Sequence, residues 1–167
     1  KGNTYTRGTQ AFHEWLMKSL HANKPYDQLI TELVTARGEI SHNPASAWFR
    51  NVTDPKERLQ DTAQVLLGVR LQCAECHHHP YEKWSQQDYY GFSAFFSRIG
   101  KKKTDVPGEE AVFHNVGLAT AKNPKSGENV KPKPLGGDEL IIKPEDDPRL
   151  DLAFWMTSES NPFFAKM

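Results

Sequence analysis

A chain of 167 residues, 37% hydrophobic and 25% charged, is long enough to bury its own core and has an ordinary globular balance. Its 21 basic and 21 acidic residues cancel, which argues against nucleic acid or an anionic membrane as partner. No apolar run approaches membrane-spanning length, so no membrane insertion by this segment is expected. The first residues also lack the basic-then-apolar order of a signal peptide.

From Thr9 to Ala22 the apolar positions Phe12, Trp15, Leu16 and Leu20 recur at helical spacing and predict an amphipathic helix. Asn23, ahead of Lys24-Pro25, stops it and can cap the next helix. Leu29, Ile30, Leu33 and Val34 form a second stripe, closed by Gly38 as a left-handed cap. The short connection predicts an antiparallel pair. Residues 39–52 read as irregular, with Ala47, Trp48 and Phe49 as a buried knuckle. Thr53-Asp54-Pro55 starts a further helix, with a capping side chain followed by Pro at the first helical position. That helix carries Leu59, Ala63, Leu66 and Leu67 on one face, and Gly68 ends or bends it.

Ser85 with Asp88 three residues later resembles a capping box. The helix behind it holds Tyr89, Phe92, Phe95, Phe96 and Ile99 and ends at Gly100. Lys101-Lys102-Lys103 reads as a solvated loop. From Pro107 to Pro144 helical periodicity disappears and Gly and Pro become frequent. Ala111–Val116 and Glu139–Ile142 are predicted strands, separated by turn-rich sequence such as Asn123-Pro124-Lys125-Ser126-Gly127. Asp146-Asp147-Pro148 starts another helix, with Leu150, Leu152, Ala153, Trp155 and Met156, and Ser160-Asn161-Pro162 looks like the start of the next. The expected fold is mainly α: a single irregular helical domain over 1–167, of about five helices. Its helical core spans 9–100 and 146–167, with a Gly/Pro-rich β-hairpin or loop insertion at 107–144. An opening in polar residues and an ending inside an apolar helical pattern suggest a fragment of a longer multidomain protein.

The chemistry concentrates in Cys73-Ala74-Glu75-Cys76-His77-His78-His79-Pro80, which holds the only two cysteines of the chain. Cys-x-x-Cys-His is the attachment signature of a c-type haem. Two thiols at i and i+3 share one face of a helical turn and can reach two vinyl groups on one porphyrin edge. The next residue brings an imidazole under the ring as an iron ligand. Cys73 and Cys76 are thus the expected thioether anchors and His77 the ligand of the haem iron. The rival reading is zinc, held by Cys73, Cys76, His77 and His79. Four ligands within seven residues are cramped for zinc, yet His79 has no use in haem attachment. A dithiol redox site lacks the βαβ pattern that usually surrounds one. A structural disulfide would close too small a loop to constrain the unfolded chain much. His13 and Met17 share a helix face at i and i+4 and would suit a distal haem pair, although Met at helical spacing more often fills a core. The Phe92–Phe96 face could wall a porphyrin or simply be core.

The run from Leu67 to Tyr90 around these cysteines resembles a domain family of unknown function found in large exported proteins of planctomycetes and related bacteria. That family is associated with cytochrome c-like modules. Asn23-Lys24-Pro25-Tyr26-Asp27 and Thr35-Ala36-Arg37-Gly38 are similar to its early helices. Asp147-Pro148-Arg149 through Leu152-Ala153, with Ser160-Asn161-Pro162-Phe163-Phe164-Ala165, are similar to its C-terminal end. The family pattern covers Cys73, Cys76, His77, His79, Pro80, Trp84 and Asp88. It supplies no distal ligand, and Met17, Met156 and His114 lie outside it. The resemblance implies a multidomain protein with no reaction firmly attached.

Together these readings lead to a c-type haem-binding electron-transfer module of a larger exported protein, periplasmic or on the cell surface. Its partners would be a redox protein or neighbouring domains of the same chain. The alternative is a structural zinc or interaction module without catalysis. No nucleophile motif, Gly-rich phosphate loop or clear carboxylate pair is present, so a binding module is expected rather than an enzyme. His79 with Asp88 could form a proton relay, but a backbone hydrogen bond for His79 ahead of Pro80 is the simpler role.

Overall fold

The computed structural model describes residues 3–50, 52, 54–76, 84–106 and 109–163, with the side chains of 3–7 left aside. The chain forms two compact units, one of Lys1–Thr53 with Ile99–Asn115 and the other of Asp54–Arg98 with Val116–Met167.

In the first unit, α1 spans Asn3–His21, a longer helix than the apolar pattern alone predicts. It ends as expected at Asn23, whose φ of 49° places it in the left-handed region. The Lys24 N–H donates to the Ser19 carbonyl and the Asn23 N–H to that of Leu20, both at 2.9 Å, closing the helix in a Schellman arrangement. Its stripe packs shallowly: Phe12, Trp15 and Leu16 are half-buried, while Leu20 is 59% exposed. α2, Tyr26–Val34, buries Ile30, Leu33 and Val34, with Pro25 rather than Asn23 at its N-cap. Gly38 opens a short strand, β1 (Gly38–Glu39), instead of capping the helix. A 3₁₀ turn at Pro44–Phe49 buries Ala45, Ser46 and Phe49, so of the expected knuckle only Phe49 is fully inside.

The expectation of a mainly α fold is corrected here. The described chain is 43% helix and 11% strand, a mixed α/β architecture with two small antiparallel sheets. Ile99–Lys103, expected as a helix end and a solvated loop, is strand β2. It pairs along its whole length with β3, Glu110–His114, and β3 pairs on its other side with β1. Val112 and Ala111 of β3 are buried, so their backbone must find ladder partners, and the lysines supply them whatever their propensity. Gly100 stands opposite Phe113, whose ring lies where a Cβ would be, 2.7 Å from its Cζ. Lys101 Nζ donates to the Arg50 carbonyl.

In the second unit, α3 spans Pro55–Leu66 and starts where Asp54 accepts the Lys56 N–H at 2.8 Å. Leu59, Ala63, Leu66 and Leu67 are buried as predicted. α4, Gln86–Ala94, opens on the expected capping box of Ser85 and Asp88. It stops before Phe95 and Phe96, which lie in a turn rather than extending the helix to Gly100. The turn at Asn123 joins β4 (Ala121–Lys122) to β5 (Asn129–Val130), and Asn123 Oδ1 accepts the Lys125 N–H at 3.0 Å. Glu139–Ile142 is not a strand, although the Leu140 N–H donates to the Pro132 carbonyl at 2.7 Å. The segment after β5 lies tight against α4: the Lys133 N–H donates to the Gly91 carbonyl, and a Cβ on Gly91 would meet Lys133 Cβ at 2.6 Å. α5, Pro148–Met156, is capped by Asp147, and residues 160–163 turn without forming a helix. No helix among the described residues is long and apolar enough to cross a membrane.

Candidate functional site

Gly68, with φ of 66°, turns the chain off α3, and Leu71 and Ala74 then point inward with no exposed surface. Between and beyond them, Gln72–Glu75 forms a 3₁₀ turn with Cys76 as its C-terminal cap. In 3₁₀ geometry residues three apart eclipse each other, so burying Leu71 and Ala74 puts Cys73 and Cys76 on one outward edge. Both cysteines are exposed, and neither is in a disulfide. The Cys76 N–H donates to the Cys73 carbonyl at 3.4 Å, closing the turn. The sequence places two thiols on one face through α-helical spacing; the structure reaches the same outcome with a tighter turn. His77, His78, His79 and Pro80 lie outside the described residues.

Glu75 holds this turn in place. Its carboxylate accepts from Lys56 Nζ at 3.0 Å, from the Tyr89 hydroxyl at 3.1 Å and from Gln60 Nε2 at 3.4 Å. Gln60 Nε2 also donates to the Tyr89 hydroxyl at 2.8 Å, which closes the network. The Glu75 carbonyl accepts from Gln86 Nε2 at 2.9 Å and the Tyr90 hydroxyl at 3.4 Å. Lys56 and Gln60 lie at i and i+4 on α3, while Gln86, Tyr89 and Tyr90 come from α4, so two helices grip the peptide between the cysteines. The hydrogen bond that Lys56 donates to Glu75 leads the influences that raise the Lys56 ammonium, outweighing its slight burial. Burial above all pushes the Tyr89 phenol up, and the neighbouring Glu75 charge adds to it against the Gln60 donor. Tyr89 therefore keeps its proton and stays a donor. Sequence reading missed this network. Its one local signal is a glutamate inside the Cys-x-x-Cys, and the partners are 11 to 19 residues away.

The other expected site residues are dispersed. Phe92, Phe95 and Phe96 have no exposed surface; they pack on one another and Phe92 on Trp155, with centroids 5.9, 6.2 and 6.0 Å from that of Phe92. That face is interior rather than a cofactor wall. Met156 is fully buried on α5, whereas Met17 is 40% exposed and so fills no core. His13 and Met17 lie on the exposed part of α1, and His114 lies on β3. Asp88 is fully engaged: Oδ2 accepts from the Ser85 N–H and hydroxyl at 2.9 and 2.7 Å, and Oδ1 from Lys133 Nζ at 2.8 Å. Trp84 is buried against Phe163, their centroids 5.8 Å apart. No group of three or more His, Cys, Asp and Glu among the described residues could hold a metal ion; His77 and His79 are not among them.

Burial alone would raise the Asp88 carboxyl, but Lys133 and Ser85 hydrogen bonds together hold it below its ordinary value. A carboxyl lowered on folding stabilises fully above its unfolded pKa and loses that contribution as pH falls through its folded one. Asp88→Asn should therefore be less stable than the parent at neutral pH. The gap should close only below about pH 4, the ordinary carboxylate range, in urea unfolding followed across pH.

The family model for PSCyt2, described as a protein of unknown function (DUF1549), matches residues 1–101. The chain belongs to this family. The matched part of the PSCyt2 chain contains the dithiol turn, the α3 residues that hold it and the whole of α4. No curated protein and no solved structure matches the chain.

Proposed function

We propose that this chain is a c-type haem-binding electron-transfer module of a larger exported protein, working at the periplasm or cell surface. The observation that carries the reading is the pair of exposed, unbridged thiols on one edge of a braced turn, immediately followed by His77. The donor set fits the group: Cys73 and Cys76 would hold it through two thioethers, and His77 would ligate the iron. Each thiol would add its S–H across a vinyl double bond of the group, with no net exchange of electrons. When bound, the haem would supply one-electron transfer at a potential tuned by its ligands and its burial. The chain's own part is to present both thiols at once and to keep their edge open. A redox protein or neighbouring domains of the same chain would exchange the electron.

A second reading rests on His79, two residues beyond His77 and idle in haem attachment. In it, Cys73, Cys76, His77 and His79 hold zinc in a structural module with no catalysis. Export of the protein alongside haem-attachment machinery separates the two. The haem reading expects a red product whose Soret band survives acid-acetone extraction and is lost in Cys73→Ala/Cys76→Ala. A folded, colourless product overturns it, and stoichiometric zinc with unfolding on chelation would establish the second.

A further inference from the structure

The geometry points to Glu75 as the positioning residue of the dithiol turn: through its carboxylate and its carbonyl it keeps the Cys73 and Cys76 thiols aligned for simultaneous capture by one acceptor. This rests on the reading that the two thiols act as a pair, and holds whether the acceptor is a porphyrin or a metal. A 3₁₀ turn of four residues has little hydrogen bonding of its own and would fray if only Leu71 and Ala74 anchored it. Glu75 is the residue of that turn with side-chain partners on both flanking helices: Lys56 and Gln60 on α3, Tyr89 on α4. Its carbonyl adds Gln86 and Tyr90, so five side chains converge on the residue next to Cys76. Tyr89 and Tyr90, 0% and 1% exposed, are locked by the surrounding core, which gives the grip a rigid base. A partly exposed ion pair such as Lys56–Glu75 contributes little to global stability by itself. The network's consequence is local instead. It fixes the peptide between the thiols, and so raises the effective concentration of the second thiol once the first has reacted.

The test uses the reduced protein without haem or metal and phenylarsine oxide, a trivalent arsenical that takes two thiols. Two S–H bonds break, two As–S bonds form, and the oxygen leaves as water with arsenic still trivalent. Glu75→Ala should weaken this capture by about tenfold or more, as expected when the second thiol loses its alignment. Single-thiol alkylation by iodoacetamide should keep its rate within about twofold, since each cysteine stays exposed. Glu75→Gln, whose single amide oxygen can still accept from the Tyr89 hydroxyl but leaves Lys56 without its acceptor, should restore only part of the lost capture. Leu152→Ala, which destabilises a buried site on α5, should leave capture unchanged while lowering stability. Should Glu75→Ala not fold, Gln86→Ala attacks the same turn through its carbonyl and should weaken capture in the same direction. Parent-like capture in Glu75→Ala, or an equal loss in Leu152→Ala, overturns the inference. A colourless exported product alongside intact arsenical capture would remove the haem reading and leave this one standing.

Discussion

Phe92→Ala should lower the stability of the protein, prepared without haem or metal, by about 3–5 kcal/mol. Phe92 has no exposed surface and stacks edge-on against Phe95 and Trp155, at interplanar angles of 72° and 74°. Trp155 continues the cluster to Phe163, 6.2 Å away, and Phe163 to Trp84. Truncating the ring therefore removes both its burial and a central contact of the aromatic core. The measurement is urea unfolding, with the midpoint falling and the slope unchanged. The number also decides a chemical question. An aromatic face reserved for a porphyrin would be half-used without one, and the substitution would then change stability by less than about 1 kcal/mol.

Asp147→Ala is the second large effect, again about 3–5 kcal/mol. Arg149 is fully buried, and Asp147 grips it through Nη2 at 2.6 Å and Nε at 3.0 Å while also accepting the Arg149 N–H at the start of α5. One substitution removes the helix cap and the carboxylate facing a buried guanidinium. Arg58 shares this environment: burial first, and Arg149 next, push its guanidinium down to about 10, with Asp54 opposing. Asp147→Asn keeps an acceptor for the cap and should recover about 1 kcal/mol of the loss in the same unfolding assay.

The parts of this chain that were readable in advance share a property: their chemistry lies within four residues. Asp54-Pro55, the Ser85–Asp88 box and Asp147-Pro148 all begin helices where predicted, because a cap needs only its own first turn. Asn23 stops α1 for the same reason. The pairing of Cys73 with Cys76 on one edge is likewise a matter of spacing, and survives the change from an α-helical to a 3₁₀ turn. The strand at Ile99–Lys103 had no such signal. Three lysines in a row have no alternation, and the segment is a strand only because buried Val112, further along the chain and paired with Lys101, needs a partner. Phe95 and Phe96 misled in the opposite direction, since an aromatic run looks helical until the core bends the chain beneath it.

The sequence alone established the dithiol, the histidine behind it and the helix starts at Asp54, Ser85 and Asp147, since short-range hydrogen bonding and spacing encode these, while the family entered through the resemblance of whole segments. Packing settled the rest: that the fold mixes sheet with helix, that the aromatic face is interior, and that Glu75 braces the cysteine turn. The sheet and the Glu75 brace depend on backbone or polar groups, distant along the chain, that must be satisfied once burial has taken them out of water, and the interior aromatic face on ring contacts between equally distant segments.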